Sequence, residues 1–401
     1  MADVHVIDSI MGSGKTTFMI EEIKRSNPAD KFIFITPYQT EIDRIQSELA
    51  SVGKEVFIPT VSDNAEKRKL QSMKNAIIDG KSILSTHSLF TLADDELITL
   101  IKQGDYSLIL DEVMDVVEGV NVSKGDLESM LSKDYIAIEP DGKVRWIDRT
   151  YSGTSFSKVQ RHANSGSLYL VEGTYLIWAY PPKIFGVFDH IYLLTYLFEG
   201  SAMYQYFQIY GITHEKFAVR NGEMVEYDRT AENRMDVYAK INVYQGPMND
   251  DKNEHYLSSN WLKRNGGREP GKQLRKNLVN WFKNINSEIP SNQKYWTTLK
   301  SHVPQLKGNG YASRFIPHNI RATNDYMECT VLAYAYNRFL HPDESKFFSA
   351  NGKPINEELR AVSDLLQWIW RSAIREGNPI ELYLPSMRMR RLLHQWANNE
   401  I

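Results

Sequence analysis

The stretch that most constrains how this 401-residue chain can fold is VIDSIMGSGKTTFMIEEI, residues 6–23. The residues DVHVI just before and into it alternate apolar and polar with β-branched content, the pattern of a short strand. TTFMIEEIKR places Phe18, Met19, Ile20 and Ile23 on one helical face. Between them, Gly12 and Gly14 let backbone N–H groups turn toward an anion with no side chain in the way. A helix starting near Lys15 points its positive end at the same place. A strand, a glycine-rich turn and a helix in this order make a phosphate cradle. Gly12, Ser13, Gly14, Lys15, Thr16 and Thr17 are the expected nucleotide-binding residues. Lys15 suits the β- and γ-phosphates and the Thr16 hydroxyl suits Mg2+.

A nucleotide site of this kind needs a second metal-holding group. YSLILDEVMDVV, residues 106–117, reads as a buried strand ending in Asp111 and Glu112. Carboxylates at the C-terminal end of a parallel strand lie beside the phosphate loop. Asp111 is expected to hold Mg2+ together with Thr16, and Glu112 to polarise the attacking water.

Around these two motifs the chain alternates strand and helix. KFIFITP (31–37), KSILSTHSLF (81–90) and the Asp111 segment read as strands. Residues 38–53, 64–80 and 94–104 read as helices. This is a doubly wound α/β pattern. Residues 118–165 interrupt it with a hairpin, YIAIEPDGKVRWID, turning at Pro-Asp-Gly. A second unit is expected after about residue 204, and MECTVLAYAYNRFL (327–340) within it reads as a long helix. The expected domains are 1–203, with an accessory insertion over about 118–165, and 204–401, with a divergent segment over about 210–290.

Apolar residues make up 42% of the chain and charged residues 24%, ordinary globular composition. No run of about 18 apolar residues suggests a membrane span, and MADVHVIDS lacks the order of a secretory signal. A single cysteine, Cys329, excludes an internal disulfide framework, and a cytoplasmic location is expected. The histidines show no metal-ligand spacing and are expected to be structural. The net charge of −3 excludes a uniformly basic nucleic-acid binder, but residues 262–277 and 386–396 are basic. Such stretches serve either as local grooves or as solvated helix faces. Trp261, Trp281 and Trp296 lie among basic residues, where stacking on bases is one option and core packing the other.

QWIWRSAIR, residues 367–375, spaces Gln367, Arg371 and Arg375 four apart. On a continuous helix all three share one face. A glutamine and two guanidinium groups suit a γ-phosphate, whose charge spreads over its oxygens in the transition state.

Taken in order, Gly12–Thr16, Thr36-Pro37, STHSLF (85–90), Asp111-Glu112 and Gln367…Arg371…Arg375 resemble the motifs of superfamily 2 helicases. LLTYLFEGSAM, NIRATNDY and QWIWRSAIREGNPIELYLPSMRMRRLL are similar to a compact DEAD/DEAH-type group encoded by bacteriophages. Helicases of this kind commonly relax the first glycine of the phosphate loop to a small residue, here Ser9. The resemblance implies two RecA-like doubly wound parallel-sheet domains in tandem, with ATP and Mg2+ bound in a cleft between them. It implies Glu112, Asp111, Gln367, Arg371 and Arg375 as catalytic residues. It implies Thr36, Pro37, Thr86, His87, Arg321, Thr323 and Asn324 as nucleic-acid contacts, and Thr195 and Ser201 as coupling residues. The partner implied is single-stranded or forked nucleic acid, with DNA favoured, in phage replication or recombination. Two departures stand out: Trp370 occupies a position usually held by glycine, and the two late arginines are four residues apart instead of three. A phage packaging ATPase and a non-motor phosphate-loop NTPase are the alternatives.

Overall fold

The computed structural model describes residues 3–60, 66–250, 252–319 and 325–401. Its strands are β1 (Asp3–Asp8), β2 (Lys31–Thr36), β3 (Ile83–Thr86), β4 (Tyr106–Asp111), β5 (Val117–Gly119), β6 (Ile136–Ile138), β7 (Val144–Trp146) and β8 (Leu168–Val171). There follow β9 (Tyr175–Ala179), β10 (His190–Thr195), β11 (Glu215–Arg220), β12 (Glu223–Glu226), β13 (Ile241–Val243), β14 (Lys294–Thr297), β15 (Val331–Tyr334) and β16 (Ile380–Tyr383). The chain divides into two compact units. The first comprises Met1–Ser9, Ser13–Tyr227 and Leu340–Ile355; the second comprises Ile10–Gly12, Asp228–Phe339 and Asn356–Ile401.

The first unit is built on a seven-stranded sheet of order β12-β11-β1-β10-β4-β2-β3. All neighbours are parallel except β12, which closes the edge antiparallel to β11. Parallel strands buried on both faces need near-continuous apolar runs, and FIFI and LIL supply them. Phe32, Phe34, Leu84, Ile109 and Leu194 bury toward the helices Lys15–Arg25 and Gln39–Ala50. Ile33, Ile35, Leu108, Leu110, Ile191 and Leu193 bury into the larger core on the other face. The segment 204–227 supplies β11 and β12, so it completes this sheet instead of opening the second unit.

Residues 117–179 form an accessory layer. β5, β9 and β8 pair antiparallel, and β6 and β7 make the expected hairpin with Gly142 at φ 82°. The helix Pro342–Ala350 packs on this layer from far down the chain. Its Phe347 and Phe348 enter the first unit's core, and Lys346 pairs with Glu172.

The second unit has a four-stranded, all-parallel sheet of order β13-β16-β15-β14. Its core is aromatic, with Trp281, Trp296, Trp368 and Trp396 fully buried. Residues 327–340 are not a long helix as the sequence pattern suggests. They contain β15, buried on both faces, and apolar residues continue buried through Tyr336. Among the described residues no helix is long and apolar enough to cross a membrane.

Candidate functional site

The phosphate loop connects β1 to the helix Lys15–Arg25 at the C-terminal edge of the first sheet. Gly12 (φ 78°) and Gly14 (φ 85°) both take the left-handed conformation, which a side chain would strain. Lys15 Nζ lies 2.6 Å from the Ser9 carbonyl and donates to it, so the ammonium is folded over the loop. Ser9 itself, where a glycine is usual, has a structural task. Its buried hydroxyl accepts from the Val219 N–H at 2.8 Å. The β1–β11 ladder ends at Ile7 and Phe217, and this side chain extends the tie by one more step.

Strand order brings the acidic pair to the loop. β10 lies between β1 and β4, with Asp8 opposite Thr195 and Leu194 opposite Asp111. Thr16 Oγ1 donates to Asp111 Oδ1 at 3.0 Å, joining residues 95 positions apart. Burial and the neighbouring Glu112 charge push the Asp111 carboxyl up to about 7, against the Thr16 hydrogen bond and the Lys15 charge. Glu112 follows with a positive φ of 72°, uncommon for a residue with a side chain. Its N–H donates to the Leu194 carbonyl at 2.8 Å, which fixes the turn. The residues therefore fit a metal–nucleotide: a hydroxyl and a carboxylate already meet, and crowded negative charge at Asp111 and Glu112 is what a divalent cation would relieve. Lys15, Thr16 and Asp111 would hold it.

Asp8 is a residue the sequence reading missed. It ends β1, is 1% exposed, and accepts from Leu197 N–H at 2.8 Å and Phe198 N–H at 3.0 Å. It thereby holds the turn after β10, where Leu197 takes φ 55°. Thr195 is buried at the end of β10, and Ser201 caps the helix Ala202–Tyr210 by accepting from Tyr204 N–H. The signal was present as an aspartate directly before a phosphate loop, but its partners lie about 190 residues away.

Thr36 and Thr86 are direct partners at the C-terminal ends of β2 and β3. Thr36 Oγ1 is buried with no hydrogen-bond partner among the described residues, whereas Thr86 caps a short helix that begins at His87. Pro37 follows Thr36, partly exposed. Arg321, Thr323 and Asn324 lie outside the described residues.

In the second unit the late arginines are arranged differently from the sequence expectation. The helix Glu357–Ile369 holds Gln367 but ends with Trp370 as its C-cap. Ser372 then accepts from Ile374 N–H and starts a 3-10 turn, Ala373–Glu376, closed by Gly377 at φ 80°. The single-face reading of Gln367, Arg371 and Arg375 is therefore corrected. Arg371 lies beyond the helix, half-buried, and Arg375 lies in the turn, exposed. The other basic and aromatic candidates are partly structural. Trp281 and Trp296 are buried and donate to the Leu332 and Tyr311 carbonyls, which removes them as stacking platforms. Arg388 is buried and donates to Asn337 Oδ1 and the Arg338 carbonyl.

Residues 117–178 match the family model of the YonV middle domain, and residues 235–397 match that of the YonV C-terminal Rossmann-like domain. Over its whole length the chain is 38% identical to the SPbeta prophage-derived uncharacterized protein YonV of Bacillus subtilis (strain 168). That alignment spans 415 positions and 100% of both chains. The chain belongs to the YonV family. The YonV middle domain coincides with the accessory layer β5–β9, and the YonV C-terminal domain with the second parallel sheet. Among solved structures, S. tokodaii Xpd4 matches with a TM-score of 0.50 at 12% identity, over 100% of this chain and 94% of that one. This is a likeness of fold, and it agrees with the expected tandem arrangement of RecA-like α/β domains. The DUF1998 helicase MrfA bound to DNA and AMPPNP matches with a TM-score of 0.38 at 11% identity, over 99% of this chain and 48% of that one.

Proposed function

We propose that this YonV-family protein is an ATP-driven nucleic-acid motor of the superfamily 2, DEAD/DEAH helicase type. The observation that carries the reading is the Thr16–Asp111 hydrogen bond beside Lys15 and Glu112 at the C-terminal edge of a parallel sheet. These residue types at that edge suit binding and hydrolysis of a nucleoside triphosphate. In this reading Lys15 and the loop amides hold the phosphates, and Thr16 and Asp111 hold Mg2+, which would neutralise charge on the transferred group. Glu112 orients and activates water. Gln367, Arg371 and Arg375 of the second α/β unit complete the charge stabilisation in the closed state. A kinase or self-contained switch has no need of that second unit.

Pro37, Thr86 and His87, partly exposed at the C-terminal ends of β2 and β3, would meet the backbone of a strand, whereas Thr36 is fully buried and would only support that edge from beneath. Arg321, Thr323 and Asn324 are proposed as further contacts. Single-stranded or forked DNA is the proposed track. The prophage origin of the B. subtilis relative supports a phage role in replication or recombination, in the host cytoplasm.

Steady-state ATPase assays with and without single-stranded oligonucleotide test this. Turnover is expected to rise with the strand, and Lys15→Ala is expected to abolish it while the circular dichroism spectrum is unchanged. Hydrolysis by the wild-type protein that is indifferent to nucleic acid would refute a motor and leave a non-motor NTPase.

A further inference from the structure

We propose a second cation site, for a transition metal of the Zn2+ class, at the opposite edge of the first sheet from the phosphate loop. Asp3 and His190 are direct partners where β1 and β10 begin. His5 lies two residues along β1 from Asp3, on the same face of the sheet. Asp3 Oδ2 stands 3.1 Å from His5 Nε2 and 3.7 Å from His190 Nδ1. All three donor atoms lie within 4.8 Å of one another. Tetrahedral zinc with bonds of about 2.0–2.2 Å puts its ligand atoms roughly 3.3–3.6 Å apart. The two distances to Asp3 bracket that value, and Asp3 and His190 are exposed side chains with room to adjust.

The environment suits a built site. The His5 ring is packed between Tyr192 (centroids 5.3 Å, stacked) and Phe217 (5.2 Å), so its direction is fixed. Its side chain is 15% exposed, whereas Asp3 and His190 are 56% and 50% exposed and leave an entry path. Two borderline imidazoles beside one hard carboxylate suit Zn2+ and Co2+ over Mg2+. Three protein ligands leave a position open to water or a further ligand. His190 also lines a cleft of about 1220 Å3 with Asp189, Tyr192, Asp105 and Phe188, so the open position borders a space that small molecules can enter. β1 has six residues, so at about 3.3 Å per residue the site lies on the order of 16 Å from Asp8 and the phosphate loop. It is separate from the Thr16–Asp111 pair. The metal-ligand pattern escaped the sequence reading because His190 is 185 positions from His5 and only the β1–β10 pairing joins them.

Chelator-treated full-length protein titrated with Co2+, followed by visible absorption, and with Zn2+, followed by calorimetry, tests the assignment. One ion per chain is expected, with the absorption bands of a nitrogen-ligated, low-coordinate Co2+. Binding is expected to persist in Asp111→Asn, which removes the carboxylate of the nucleotide site. His190→Ala and Asp3→Ala should each weaken it by more than about 100-fold, beyond the 10–100-fold typical of losing an outer-shell partner. Both side chains are exposed, so these variants should fold, and a wild-type Tm that rises with Zn2+ should become metal-independent in them. Absence of the Co2+ bands in the wild type, or equal binding by His190→Ala, would overturn the proposal.

Discussion

At the residue scale, single side chains explain both the fit and the departures of the phosphate loop. Ser9 stands where the loop usually has glycine because its hydroxyl satisfies the Val219 N–H. Asp8 orders the turn at Leu197 and Phe198 through two hydrogen bonds to its buried carboxyl group, each contributing on the order of 1 kcal/mol or more. Asp111 gives a signed pH prediction. Its carboxyl moves from the usual 3.8 to about 7 in the fold, mainly through burial and then through Glu112. A carboxyl raised in this way contributes stability that is full below about pH 4 and is lost as pH rises through 7. Asp111→Asn is neutral at every pH. Without Mg2+ or nucleotide it should melt a few degrees above the wild type at pH 8, with the gain vanishing by pH 4. Thermal melts at the two pH values check this; an equal difference at both would place the effect in packing instead of charge.

At the scale of elements, the sequence located what depends on local chemistry and missed what depends on distant partners. The phosphate loop, the strand before Asp111 and the hairpin turning at Gly142 were readable because glycine, proline and period-2 patterns act over a few residues. β15 reads as helix in the sequence because a strand buried on both faces has no alternation, and its apolar run is indistinguishable from a buried helix by period. The late helix reads too long in the sequence because nothing local announces that Ser372 will cap a new turn. The return of Leu340–Ile355 to the first unit left no local signal either. Phe348 in that segment is fully buried in the first unit's core. Phe348→Ala should therefore cost about 3–5 kcal/mol and lower the first unit's melting transition on the order of 10 °C. Hydrogen exchange distinguishes local from global loss. Amides of β8 and β9 should lose protection while those of β15 keep theirs, and equal loss in β15 would tie the segment energetically to the second unit.

At the scale of the whole molecule, the proposed motor requires that two α/β units with different chemistry act on one triphosphate. In that proposal the first unit carries the loop, with Asp111 to hold the metal and Glu112 to activate water. A loose phosphoryl transition state spreads charge over its equatorial oxygens, which guanidinium groups added to Lys15 would stabilise. In the proposal the second unit supplies them after the helix Glu357–Ile369, where the chain leaves regular helix at Trp370, Arg371 follows and Arg375 lies in a tight turn. Groups needed chiefly in the transition state lower kcat when removed and leave ground-state binding largely intact. Arg371→Ala or Arg375→Ala is therefore expected to reduce kcat for ATP by about 10³-fold or more, the range seen for arginine fingers, with KM changed by less than about tenfold. The two positions need not contribute equally, since one is half-buried beside the helix end and the other exposed. Nucleotide binding followed by a fluorescent analogue separates the cases: tight binding with lost turnover marks a transition-state role. Normal turnover in both variants would leave the second unit without a part in hydrolysis, and the motor reading would fail even if Lys15→Ala were inactive.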